Sequence, residues 1–258
     1  YFEAEGKYLT FPWAKGTNID QIYEYYQEEG FSDWTYPDAG TPILKMQHPD
    51  YELFSAESTH FKAGVACADC HMPYVSEGGV KFTSHHVQSP LNMIASTCAV
   101  CHRQSEEELR NNVYERQDKI AALRHYLEEI LVTAHYEAKA AWDEGAKEET
   151  MQSVLALIRQ AQWRWDFIAA SHGGSFHAPI ESASVLSNGI MRALEARIEL
   201  TALLQSMGVK EVLVPDFSTK GKAQKAIGLD METLIREKEE FKKQILPAWE
   251  KIRTDLKN

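Results

Sequence analysis

Cys67-Ala68-Asp69-Cys70-His71 and Cys98-Ala99-Val100-Cys101-His102, with 27 residues between the two cysteine pairs, decide how this chain is read. Two cysteines three positions apart can form thioethers to the two vinyl groups of one haem. The histidine that follows then reaches the iron from below, which is the c-type attachment pattern. The two motifs use all four cysteines and leave no thiol over. A zinc ribbon of two Cys-x-x-Cys knuckles is the bland alternative. Its usual spacing is shorter, and it gives no reason for a histidine after each pair. Disulfide-redox motifs are a third option, but no βαβ pattern surrounds either pair. The chain reads as one that carries two haem c groups.

The histidines extend this reading. Of ten in the chain, His48, His60, His71, His85, His86 and His102 cluster around the cysteines. A second histidine on the far side of a haem iron makes a low-spin centre suited to electron transfer. Two haems use two further histidines at most, so the cluster predicts ligands for more haems than this chain attaches.

Composition sets the frame. A chain of 258 residues with 44% hydrophobic and 25% charged residues has the make-up of a soluble globular protein with a sizeable core. A net charge of −11 argues against a nucleic-acid partner, and haem propionates would deepen it. No apolar run is long enough to span a membrane. The sequence opens Tyr1-Phe2-Glu3, with neither an initiating Met nor a signal peptide, which suggests a processed or truncated product. Covalent haem is attached outside the bacterial cytoplasm, so an exported, periplasmic setting is expected.

The organisation divides near residue 103. Residues 1–103 are loop-rich and punctuated by Phe11-Pro12-Trp13, Trp34-Thr35-Tyr36-Pro37, His48-Pro49 and Met72-Pro73, with one clear short helix from Ile19 to Glu29. Haems can supply the apolar mass that such a segment lacks. Residues 104–258 read as about four long helices, which makes the fold mainly α. Ser105 to Glu108 is a capping box. From it Leu109, Val113, Ile120, Leu123, Leu127, Ile130, Ala134 and Ala138 recur three and four apart, predicting a helix to Gly145. Further helices are expected over 150–171, 181–207 and 231–253, the last kinked by Pro247. Residues 209–214 could be extended. The length of the first helix suits either a subunit interface or a long bundle helix.

The chain resembles the C-terminal portion of the pentahaem cytochrome c nitrite reductases, periplasmic enzymes that form ammonium. The resemblance rests on Phe11-Pro12-Trp13, Phe31-Ser32-Asp33-Trp34-Thr35, Lys45-Met46-Gln47-His48-Pro49, both haem motifs, Ala161-Gln162-Trp163-Arg164-Trp165-Asp166, Ser171-His172-Gly173 and His177-Ala178-Pro179. Pro215 to Lys220 and Ala226 to Leu229 fit as well, so the match runs along the whole chain.

That resemblance implies roles residue by residue. The two motifs would hold the fourth and fifth haems, with Cys67, Cys70, Cys98 and Cys101 as attachment points and His71 and His102 as proximal ligands. His177 matches the distal ligand of the fourth haem and His60 that of the fifth. His85, rather than its neighbour His86, matches the distal ligand of the second haem. His48 matches the active-site histidine, which helps to hold and protonate the bound nitrogen oxide; an imidazole titrating near neutrality suits that task. Lys45, through its backbone carbonyl, and Gln47, through its amide oxygen, match ligands of a calcium ion. No iron role follows for His125, His135 or His172.

The departures are as informative. The Cys-x-x-Cys-Lys motif of the catalytic haem, the second and third haem motifs, the active-site arginine and the calcium-binding glutamate are not in the sequence. Tyr1 matches the second of two consecutive family tyrosines, so the active-site tyrosine is expected one residue earlier. The resemblance further implies five haems in the complete protein, nitrite as substrate, a homodimer, and a quinol-oxidising membrane cytochrome or a soluble cytochrome as electron donor. This segment alone is expected to be inactive. A multihaem electron carrier without a substrate site is the rival, and it gives no reason to keep the tetrapeptide Lys45 to His48. A zinc-stabilised helical protein would be colourless.

Overall fold

The computed structural model describes residues 3–4, 7–8 and 12–255. Expectations that rest on Tyr1 and on Phe11 lie outside them. The chain forms two compact units, residues 1–212 and 213–258.

In the first unit, the two-residue strands β1 (Glu3–Ala4) and β2 (Lys7–Tyr8) pair antiparallel and are followed by helix α1 (Ile19–Glu28). Asn18 caps α1 by accepting from Asp20 N, and Gln21 returns the favour to the Asn18 backbone. Strands β3 (Trp34–Thr35) and β4 (Pro42–Ile43) pair next. Short helices α2 (Asp50–Glu57), α3 (Thr59–Lys62) and α4 (Cys67–His71) lead to a hairpin of β5 (Tyr74–Glu77) and β6 (Val80–Thr83). Three 3-10 turns carry the chain through Cys98–Val100. The loop-rich part is therefore more structured than its punctuation suggests, because its helices are too short to show a periodic apolar face.

Three long helices follow: α5 (Glu106–Asp143), α6 (Glu148–Ala170) and, after the single turn α7 (Gly174–His177), α8 (Pro179–Ser206). At about 1.5 Å per residue α5 runs for roughly 57 Å. Ser105 caps it by accepting from Glu108 N. Val113, Ile120, Leu127, Ile130, Ala134 and Ala138 are its buried stripe, as the three-and-four spacing predicts. Helices α5, α6 and α8 pack on one another around Trp163, Phe167, Ile158, Leu127, Leu186 and Leu200. Their close approach requires Gly189: a Cβ there would lie 2.7 Å from Leu127 Cδ2 and 3.2 Å from Arg164 Cβ. Across α5 and α8, Arg197 grips Glu137 with two nitrogens at 2.7–3.1 Å.

The boundary between compact units falls at 212/213, and bonds from α6 cross residue 103. The reason lies on α6, whose buried polar face is sewn to the loop-rich part. Arg159 donates to Gln27 Oε1, Pro42 O and Phe31 O at 2.6–2.8 Å. Gln162 brackets the Leu44 backbone, and Asp166 accepts from Met46 N at 2.6 Å. Trp163 donates to Ile19 O. These side chains are buried, so each broken bond would leave a desolvated polar group.

The second unit holds α9 (Lys220–Ala226), which was not anticipated, and α10 (Met231–Glu240) and α11 (Leu246–Asp255), joined by a π-helical turn at Phe241–Ile245. The expected irregularity at Pro247 takes this form. Proline has no N–H for the Lys243 carbonyl, and the backbone widens there. Residues 209–214 form no strand.

Candidate haem sites

Lys45, Met46, Gln47 and His48 follow β4 as a strip held from two sides. Asp33 Oδ2 accepts from Lys45 N at 2.8 Å and Asp166 Oδ2 accepts from Met46 N at 2.6 Å. Burial raises the Asp166 carboxyl above the usual range, against the hydrogen bond from Met46. The side chains of Lys45, Gln47 and His48 are exposed. His48 has φ +52°, a left-handed conformation that costs a non-glycine residue about 1–2 kcal/mol. Its ring lies 4.6 Å, centre to centre, from that of His172, a contact without a signal in the sequence.

His60 sits on α3, which Ser58 caps by accepting from His60 N at 3.2 Å. Burial, then the neighbouring His102 and His177, lowers its pKa, which favours the neutral imidazole that a metal needs. The first cysteine motif forms α4, where Asp69 accepts from Ala66 N at 2.8 Å and Met72 N donates to Ala68 O. This turn sets Cys67, Cys70 and His71 on one short helix. The His71 Nδ1 lies 2.9 Å from the Gln88 carbonyl. The second motif is a tighter turn, closed by His102 N donating to Cys98 O at 2.9 Å. No disulfide joins the four cysteines.

The site residues meet in pairs. The ring centres of His71 and His177 lie 6.2 Å apart, edge-on, with planes at 73°. Those of His60 and His102 lie 6.2 Å apart at 72°. A metal at ~2.0 Å from a nitrogen of each ring, with ~1.1 Å from nitrogen to ring centre, requires a separation of ~6.3 Å. Each pair therefore has room for one iron, and each includes the histidine of a different cysteine motif. Phe54 packs edge-on to His177, and Phe176 lies against His60. The donor set and the spacing fit one haem at each cysteine motif; Cys67, Cys70, His71 and His177, and Cys98, Cys101, His102 and His60, are the residues that would hold them.

Other residues stand apart from these pairs. His85 and His86 are both exposed just beyond β6, and the geometry does not separate them. Lys45 and Gln47 offer two oxygen donors, fewer than the six to eight of a calcium shell. Among the described residues, no group of three or more His, Cys, Asp or Glu converges as a metal site. Asp50 is a site residue that sequence reading missed. It lies between His172, Gly173 and His177, and although its burial opposes ionisation, the His177 ring and the N–H groups of His172 and Gly173 hold its pKa at about 2. Its place just after His48-Pro49 was the only signal.

The sequence profile of the family described as cytochrome c552 matches residues 1–257. The chain belongs to the cytochrome c552 family. Among its relatives, the cytochrome c-552 of Bacteroides thetaiotaomicron is 58% identical over 250 residues, which is 96% of this chain and 50% of the relative. That of Haemophilus influenzae is 46% identical over 252 residues, covering 97% of this chain and 47% of the relative. This cytochrome c552 chain thus spans about half the length of the curated relatives it matches. Among solved structures, the cytochrome c nitrite reductase of Desulfovibrio desulfuricans, whose catalytic subunit has two calcium sites, matches with a TM-score of 0.69 and 30% identity, over 78% of this chain and 46% of that one. The fold is that of a multihaem cytochrome. Haem c is the family's cofactor, and oxidoreductase chemistry is its class.

Proposed function

We propose that this chain is the C-terminal portion of a periplasmic pentahaem nitrite reductase that reduces nitrite to ammonium by six electrons. The observation that carries this reading is that the histidine of each cysteine motif has a second imidazole with its ring centre 6.2 Å away, a separation that leaves room for one iron. Likeness to a cytochrome c nitrite reductase supplies the reaction class.

When bound, the haems supply reversible one-electron transfer. The chain's own residues do the rest. Cys67 and Cys70, and Cys98 and Cys101, would fix each group covalently, while His71 and His177, and His102 and His60, would ligate its iron. With two histidines each, these haems would relay electrons rather than bind nitrite. His85 reaches a haem attached elsewhere in the complete protein. His48 binds and protonates the nitrogen oxide, since a nitrite oxygen leaves as water only when protonated. The Lys45 carbonyl and the Gln47 amide supply part of a calcium shell, completed by residues of the other half. The lysine-ligated catalytic haem lies in that half as well, so this segment alone is inactive. Helices α5 and α8 pair two subunits; Ile180 and Ile198 on α8 are 86% and 70% exposed, which supports a contact there. A quinol-oxidising membrane cytochrome, or a soluble cytochrome, donates the electrons. Among the described residues no helix is long and apolar enough to cross a membrane.

The test is the intact mass of the natural protein together with its haem content per chain. Five haems on a chain about twice this long support the proposal. Two haems on a chain of this length would replace it with an electron carrier.

A further inference from the structure

Asp50 opens α2, and its carboxylate gathers the turn that carries His177. Oδ2 accepts from His172 N at 3.0 Å and Oδ1 accepts from Gly173 N at 2.7 Å. The same Oδ1 lies 3.3 Å from His177 Nδ1, a buried nitrogen that makes no hydrogen bond in this structure and has this carboxylate beside it. The His177 ring also rests on bare backbone: a Cβ on Gly173 would come within 2.3–2.9 Å of three of its atoms. The ring is thus confined on one side by Gly173 and addressed from behind by a carboxylate.

An imidazole has two nitrogens, and a metal takes one of them. With Nδ1 at the carboxylate, Nε2 is the nitrogen left for iron. The facing ring has an unlike partner, since His71 Nδ1 lies 2.9 Å from the neutral Gln88 carbonyl. A carboxylate behind a ligating imidazole makes it a stronger donor, and the negative charge favours the oxidised iron over the reduced one.

We propose that Asp50 is the positioning residue of the haem attached at Cys67 and Cys70: it accepts the Nδ1 proton of His177, fixes Nε2 toward the iron, and lowers that haem's reduction potential. This rests on the reading of His177 as an iron ligand. Among the described residues neither His60 nor His102 has a hydrogen-bonded ring nitrogen, so the haem at Cys98 and Cys101 serves as an internal control.

The experiment uses the full-length, haem-loaded protein and spectroelectrochemical titration. Asp50→Asn keeps the size of the side chain and an acceptor oxygen while removing the charge. The expected result is full haem content, a retained low-spin spectrum, and a positive shift in the midpoint of one haem alone, reversed toward wild type in Asp50→Glu. A loaded, low-spin Asp50→Asn protein with wild-type midpoints overturns the proposal. His177→Ala separates the two claims. Loss of one low-spin centre supports the ligand reading; a fully low-spin His177→Ala protein overturns both that reading and the role of Asp50. Should Asp50→Asn fail to load haem, the reduced wild-type protein with isotope-labelled histidine decides. A slowly exchanging Nδ1 proton on His177 supports the proposal, and a freely exchanging one overturns it.

Discussion

Gln162 holds Leu44 by both ends of its amide, Nε2 donating to Leu44 O at 2.7 Å and Oε1 accepting from Leu44 N at 3.0 Å. With Arg159 on Pro42 O and Asp166 on Met46 N, one face of α6 acts as the missing neighbour strand for residues 42–46. Helix α6 thereby sets where Lys45, Gln47 and His48 stand. Gln162→Leu would leave the buried N–H and C=O of Leu44 unpaired. The expected loss is about 2–4 kcal/mol of stability, measured by denaturant unfolding. Unchanged stability would mean that the strip finds other partners.

Gly173→Ala should act at a distance from the cysteines. Its Cβ would meet the His177 ring at 2.3 Å, too close for the ring to stay in place. The expected outcome is one haem turned from low-spin to high-spin, with the full number of haems still attached. Electron paramagnetic resonance on the variant reads this directly.

His48→Ala in the complete enzyme should lower nitrite turnover by roughly 10²–10⁴-fold, the contribution typical of a general acid. Haem content and midpoint potentials should not move. A missing low-spin centre in this variant would make His48 an iron ligand instead of a proton donor.

Stability should also depend on His135, whose pKa burial lowers from 6.5 to about 4, against a weaker pull from Asp38. The folded state resists protonation that the unfolded state accepts. Stability is therefore full above pH 6.5, falls as the pH drops toward 4, and is level below that as far as this residue is concerned. The loss attributable to it is at most about 3 kcal/mol. His135→Phe keeps a ring against Tyr36, which now stacks at 4.3 Å, and should flatten that slope in unfolding titrations between pH 4 and 7.

Much of this was legible in the sequence, for a physical reason. A stripe such as Val113 to Ala138 is periodic because one face of α5 is buried along its length, and periodicity survives in sequence. Attachment motifs are legible because thioether chemistry dictates a local spacing. Distal partners are not local. Nothing near His60 announces that its ring will lie close to that of His102; only the family resemblance paired these two, as it paired His177 with His71. Asp50, Gln162 and Arg159 were silent because a buried polar side chain shows its purpose only beside the backbone it satisfies. Composition changes at residue 103, and the bonds from α6 to the loop-rich part, which cross it, are equally silent in the sequence.

The proposed pairing of His71 with His177 on one iron has a consequence for how such a chain matures. The two rings are separated by 106 positions, and those of His60 and His102 by 42. In flexible-chain terms the longer closure costs only about 0.8 kcal/mol more, so entropy hardly ranks the two. Delivery does. A chain fed N-terminus first presents His60, Cys98, Cys101 and His102 together early, whereas Cys67, Cys70 and His71 must wait for α5 and α6 to emerge before His177 arrives. Under that pairing, a haem joined to Cys67 and Cys70 would lack its second histidine, and stand exposed to stray ligands, until the second long helix has folded.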